Sequence, residues 1–81
     1  MIKEIKELQK IQLDIAERFD DVSTRIEHFK LCGSDNLLAF SCYRWITGKI
    51  YNSASVTITT GDNATEKVYS ELAKIGIERA K

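Results

Sequence analysis

The fold of this chain depends on residues 20–32, whose sequence is Asp20-Asp21-Val22-Ser23-Thr24-Arg25-Ile26-Glu27-His28-Phe29-Lys30-Leu31-Cys32. This stretch can continue a helix that begins near the N-terminus, or it can form a separate strand. Residues 2–31 contain neither Gly nor Pro, so no residue type forces a break between the two. The choice decides whether the helices flank a two-stranded hairpin or a three-stranded sheet.

The helical interpretation rests on an apolar stripe. Wound at 100° per residue, one set of apolar side chains falls within an arc of about 120°. The set consists of Ile5, Leu8, Ile11, Ile15, Phe19, Val22, Ile26 and Phe29. From Ile15 onward the spacing alternates between four and three residues, which is a heptad seam. We therefore predict a long amphipathic helix over residues 1–32, with Gly33 just beyond its C-terminal end.

The length of this helix predicts a partner. About 30 residues span roughly 45 Å at 1.5 Å per residue. The remainder of an 81-residue chain cannot cover a stripe of that length. We expect the part formed by Ile15, Phe19, Val22 and Ile26 to pack against a second copy, which makes the protein a homodimer.

The alternative is a shorter helix followed by a strand over residues 22–32. Val22, Thr24 and Ile26 are β-branched and suit a strand, although Ile26 and Phe29 have opposite parity. The resulting order, helix, three strands, helix, resembles the order of elements in double-stranded RNA-binding domains. Those domains carry a lysine-rich patch at the start of the last helix. This chain has Asp62-Asn63-Ala64-Thr65-Glu66-Lys67 at that place, and it is not assigned to the family.

Residues 37–60 predict an antiparallel β-hairpin or small sheet. Residues 37–47 are rich in aromatic and β-branched types, Thr47-Gly48-Lys49 predicts a turn, and residues 55–60 alternate with Val56 and Ile58 inward. A C-terminal helix is predicted over residues 63–76, with Asn63 and Glu66 in a capping box. The fold class is α+β in a single domain, with α-β-β-β-α as the alternative order.

Composition excludes several classes of protein. The chain carries 12 basic and 12 acidic side chains, and residues 36–61 contain only Arg44 and Lys49 as charged groups. So mild a basic segment argues against a non-specific nucleic-acid binder. No apolar run approaches the roughly 18 residues of a membrane helix, and the first residues lack the apolar core of a signal peptide. We expect a cytoplasmic protein with reduced thiols and no membrane partner.

No residue pattern predicts catalysis, a metal or a cofactor. The single histidine, His28, has no nucleophile or base at a meaningful spacing. His28, Cys32 and Cys42 fall short of the four ligands of a structural zinc site. We therefore expect a protein that is not an enzyme and that binds neither metal nor cofactor.

One cluster of residue types suggests a binding surface, and it consists of Tyr43, Arg44, Trp45, Lys49 and Tyr51. Tyr43 and Trp45 share parity, so both face outward if Leu38 and Phe40 face the core. Exposed Tyr, Trp and Arg are typical of protein-binding hot spots, and the same residue types stack on unpaired bases. The alternative is that a helix covers Trp45 as part of the core.

These observations favour a small non-catalytic protein-interaction module. We expect a homodimeric regulator or inhibitor of a larger partner, of a type met among phage and mobile-element accessory proteins. The alternative is a nucleic-acid-binding dimer that uses an aromatic and basic sheet surface.

Overall fold

The structure, a computed structural model, describes residues 1–30 and 36–80 and has an α+β fold. The elements are α1 (Ile2–Arg18), β1 (Val22–Lys30), β2 (Asn36–Ile46), β3 (Lys49–Thr59) and α2 (Ala64–Leu72), with a 3₁₀ turn over Ala73–Ile75. The strands form one antiparallel sheet in the order β1-β2-β3. The alternative order α-β-β-β-α is thus confirmed, and the prediction of one helix over residues 1–32 is wrong. The predictions for Gly33 and Cys32 lie outside the described residues.

α1 ends at Arg18 because the backbone becomes extended at Phe19, with φ −134° and ψ 133°. The N–H of Phe19 still donates to the carbonyl of Ile15 at 2.9 Å. Asp20 and Asp21 follow, and carboxylates are unfavourable at the negative end of a helix dipole. Within residues 1–30 and 36–80, no helix is long and apolar enough to cross a membrane.

Both helices cover the same side of the sheet, which we call the inner face. One buried cluster joins the two helices, β2, β3 and the segment after α2. Its members are Leu8, Ile11, Ile15, Leu38, Phe40, Cys42, Ile58, Ala64, Val68, Leu72, Ile75 and Ile77. The register places Ile26, Phe40 and Val56 side by side across the three strands. Alternate residues of each strand therefore point into the core.

The predicted dimer stripe belongs to this interior. Ile15 is 1% exposed, and Phe19, Val22 and Ile26 are partly buried against the core. The periodicity was misleading because a spacing of four residues, as from Val22 to Ile26, keeps to one side of a helix and also to one face of a strand. The chain thus covers Ile15 fully and the other three residues in part, and the long uncovered helix on which the helix-paired dimer was predicted is absent.

The hairpin between β2 and β3 turns at Thr47 and Gly48, as predicted. Their φ angles are 45° and 77°, the positive values that a type I′ turn requires at both central positions. Close to the turn, the register shifts by a bulge between Arg44 and Trp45. The Asn63 half of the predicted capping box is also confirmed, because the side-chain oxygen of Asn63 accepts a hydrogen bond from the N–H of Glu66 at 3.1 Å. The Glu66 carboxylate lies 3.8 Å from Arg79.

Asp62 fixes the connection between β3 and α2. Its Oδ2 accepts hydrogen bonds from the Thr59 N–H at 2.8 Å, the Thr59 hydroxyl at 3.0 Å and the Lys67 ammonium at 3.0 Å. These donors, with the Thr59 N–H foremost, lower the pKa of Asp62 from 3.8 to about 2. The folded state therefore favours the ionised carboxylate.

This lowered pKa predicts an acid-sensitive contribution to stability. The contribution is fully present above about pH 4 and is lost as the pH falls towards 2, because the unfolded chain then binds a proton that the folded chain resists. At pH 7, Asp62→Asn should have a lower urea midpoint than the parent chain. At pH 3, the difference between the two midpoints should be smaller. The exposed Asp20→Asn is the control for loss of a charge. If the urea midpoints of Asp62→Asn and its parent differ by the same amount at pH 7 and at pH 3, the lowered pKa of Asp62 is contradicted.

Candidate protein-binding surface

The side of the sheet opposite the helices is the candidate surface, and we call it the outer face. The strand register and the positions of the core residues identify which side chains lie on this face. The face consists of Ser23, Arg25, Glu27 and Phe29 of β1, Leu37, Ala39, Ser41, Tyr43 and Trp45 of β2, and Ile50, Ser53, Ser55, Thr57 and Thr59 of β3. None of the elements in the described ranges packs on it, since both helices belong to the inner face.

Trp45 is the largest side chain on the outer face, and it is held in place. Its indole N–H donates to the hydroxyl of Ser23 on β1 at 2.9 Å, while 38% of the residue stays exposed. Ile50 lies opposite it on β3 and is 48% exposed. Half-buried Tyr43 lies two residues before Trp45 on the same face. These three form an apolar end with a rigid aromatic centre, which is how binding anchors are presented.

The outer face has a second apolar end. Phe29 on β1 pairs with Leu37 on β2, and Phe29 is 45% exposed. Between the two ends lie small and hydroxyl side chains, with Ser41 opposite Ser55 and Ala39 opposite Thr57. The band is flat and offers hydroxyl donors and acceptors without bulk. The only ion pair described on this face joins Arg25 and Glu27, at 3.2 Å.

Arg44 points to the inner face and does not join the aromatic residues. Its guanidinium contacts Oδ2 of Asp21 at 3.3 Å and donates to the carbonyl of Ile75 at 2.9 Å. It also lies 5.5 Å from the centre of the Phe19 ring and 5.9 Å from that of Tyr51. Arg44 therefore ties the start of β1 to the segment after α2.

The structure divides the five predicted binding residues between two sides. Tyr43 and Trp45 lie on the outer face, whereas Arg44 and the 49% exposed Tyr51 lie together on the other side. Lys49 is exposed at the hairpin turn. Two outward apolar residues, Ile50 of β3 and Phe29 of β1, were not among the binding residues predicted from the sequence. The parity conflict between Ile26 and Phe29 was the sequence feature that could have revealed a second apolar face.

Among residues 1–30 and 36–80, the remaining reactive groups do not converge. Burial raises the pKa of the Cys42 thiol to about 11, which leaves it unreactive at neutral pH. His28 is exposed on the edge strand β1. Asp14 pairs with Arg18 at 2.7 Å and accepts a hydrogen bond from the Tyr69 hydroxyl at 2.6 Å, which accounts for it as a structural link between α1 and α2. In the part of the chain that the structure describes, no three His, Cys, Asp or Glu residues form a metal-binding group.

Comparison with known proteins gives no family for this chain. No protein-family model matches it, and searches of curated proteins and of solved structures gave no match. The surfaces of the chain itself are therefore the basis for its proposed function.

Proposed function

We propose that this chain is a small non-catalytic protein-interaction module that acts as a homodimeric regulator or inhibitor of a larger protein. The observation that carries the proposal is the uncovered outer face with its anchored Trp45. A tryptophan that is fixed by a hydrogen bond and still exposed loses little side-chain entropy on binding. A cytoplasmic location belongs to the proposal and agrees with the free thiol of Cys42.

The outer face also defines the chemistry of the partner. Its two apolar ends favour a protein surface with exposed aliphatic or aromatic side chains, and the Ser and Thr band between them favours a polar strip. The face carries few charges, so binding would rest on apolar contact and hydrogen bonds. Catalysis is left out of the proposal because the exposed His28 and the buried Cys42 offer no paired nucleophile and base.

Trp45→Ala tests the proposal. We expect at least tenfold weaker binding to a protein captured from the source cell, with the far-UV circular dichroism spectrum and urea midpoint nearly unchanged. Tyr51→Ala is the matched control, since Tyr51 is an exposed aromatic residue on the other side of the sheet. Equal binding by the two variants would contradict the proposal, and unfolding of Trp45→Ala would instead place Trp45 in the core.

Salt concentration separates this proposal from nucleic-acid binding. Tyr43 and Trp45 could stack on bases, but Arg44 is engaged by Asp21 and Ile75 on the opposite side. Affinity for the partner should change little between 50 and 200 mM salt. A drop of two or more orders of magnitude over that range would favour a polyanionic ligand instead.

A further inference from the structure

The second surface of interest is the free edge of the sheet at β3. Both β1 and β3 are edges, but they differ in charge. β1 contains Arg25, Glu27, His28 and Lys30, whereas β3 has no charged residue and no proline after Lys49. Charged side chains on an edge strand discourage pairing with another chain, and an uncharged edge invites it.

From Ser53 onward, beyond the bulge, the odd-numbered residues of β3 direct their backbone groups towards this edge. The N–H of Ser53 bonds to the side chain of Asn52, and the carbonyl of Thr57 accepts from Lys67 of α2. The N–H and carbonyl of Thr59 both bond to Asp62. Because the N–H and carbonyl of one residue in an antiparallel strand point the same way, Ser55 also points to the edge.

These caps leave a defined window on the edge. In the described part of the chain, no bond outside the sheet is made by the backbone of Ser55, the carbonyl of Ser53 or the N–H of Thr57. The window is centred on Ser55. It is flanked by the Asn52 cap on one side and by Lys67 and Asp62 on the other, so only a short added strand fits it.

We propose that this window pairs with its own copy, so that two chains join β3 to β3 in an antiparallel, continuous sheet. A two-fold axis at Ser55 lets each Ser55 donate to and accept from the other. It also brings the open N–H of Thr57 opposite the open carbonyl of Ser53 in the partner chain. The capped groups, Ser53 N–H and Thr57 carbonyl, fall opposite each other in the same register and add bonds if the exposed caps release them.

The surroundings of the edge suit a second copy. No like charges meet along the paired strands, since residues 50–60 are uncharged. On the inner side, half-buried Val56 borders an open groove between β3 and α2, whose wall carries Glu66, Lys67 and Glu71. The paired strand would set Val56 of one chain beside Ala54 of the other and cover apolar surface that is now half-exposed. Each of these charges has a partner in its own chain. Lys67 pairs with Asp62 at 3.0 Å. Glu66 lies 3.8 Å from Arg79 and Glu71 lies 2.9 Å from Lys74, which reduces the repulsion between two copies.

This inference specifies the self-association in the proposed function and rests on that part of it. It replaces the helix stripe as the dimer interface. Joining two sheets edge to edge also places two outer faces side by side, so that one dimer presents two anchored Trp45 side chains to its partner.

A charge exchange at the two-fold axis tests the pairing. In the paired register the two Ser55 side chains face each other, with α-carbons about 5.5 Å apart. Ser55→Lys alone and Ser55→Glu alone should each weaken self-association about fivefold or more at low salt, and an equimolar mixture should restore it. The exposed Gln9→Lys on α1 is the control for an added charge. Sedimentation equilibrium of the full chain measures each mass, with the parent expected at twice 9.2 kDa.

Amide hydrogen exchange gives a second measurement that does not depend on variants. The Ser55 and Thr57 amides should exchange quickly in dilute solution. They should become protected when a higher protein concentration shifts the mass from one chain to two. A parent chain that keeps the mass of one chain up to about 100 µM would overturn the pairing. So would a mixture of Ser55→Lys and Ser55→Glu that fails to regain the two-chain mass. Binding of a strand from a different protein by a monomeric parent chain would also overturn it. Trp45→Ala should keep the two-chain mass, so a failed partner interaction and a failed dimer are told apart.

Discussion

Replacing Phe40 by alanine is expected to remove about a quarter or more of the free energy that keeps this chain folded. Phe40 is 1% exposed and lies between Ile26 and Val56 at the centre of the sheet. Loss of a buried phenylalanine costs about 3–5 kcal/mol, through lost transfer free energy and the cavity left behind. At roughly 0.05–0.15 kcal/mol per residue, an 81-residue domain has only about 4–12 kcal/mol in total.

Urea unfolding followed by circular dichroism measures this loss, and Phe29→Ala is the matched control. Phe29 is the same residue type on β1, but it is 45% exposed on the outer face, where it pairs across the strands with Leu37. We expect Phe29→Ala to cost about 1 kcal/mol or less. Similar losses for the two variants would mean that the outer face is as well covered as the inner one, and a sheet with one covered face would be wrong.

Some parts of the fold could be predicted from the sequence, and others could not. The α+β class, the turn at Thr47 and Gly48 and the cap at Asn63 were all predictable, because each depends on local residue chemistry. The residue at which the first helix ends was not predictable in this way. Val22 and Ile26 fit one side of a helix and one face of a strand equally well, and only the contacts of Ile26 with its neighbours in the folded sheet decide between them.

Phe29 illustrates why alternation failed as a criterion. A strand with one buried face shows clean alternation, and the odd parity of Phe29 therefore weighed against a strand. The structure places Ile26 inward and Phe29 outward, so the conflict arises from apolar residues on both faces of the sheet. The candidate surface was predicted in part for the same reason. Parity placed Tyr43 and Trp45 outward correctly, whereas the engagement of Arg44 with Asp21 depends on contacts remote in the chain.

Arg44 joins three parts of the chain that are far apart in sequence. It reaches Asp21 before β1 and the carbonyl of Ile75 after α2, while its side chain is 19% exposed. Gly76, at φ 81°, passes so close that an added β-carbon would lie 3.1 Å from Arg44 Nη1. The C-terminal segment is thus closely fitted against the guanidinium.

Arg44→Leu should therefore destabilise the fold by about 2–3 kcal/mol, because a charged donor to the Ile75 carbonyl is lost along with its packing on Phe19. Asp21→Asn removes only the partly exposed ion pair, for which we expect about 1 kcal/mol or less. Urea unfolding of both variants gives the two values. In Arg44→Leu, the amide exchange rate should rise most at Gly76 and Ile77. Their N–H groups donate to the carbonyls of Ala73 and Leu72, beside the Ile75 carbonyl that loses its donor. If the two substitutions cost the same and those amides stay protected, Arg44 acts only through Asp21, and the link to the C-terminal segment is wrong.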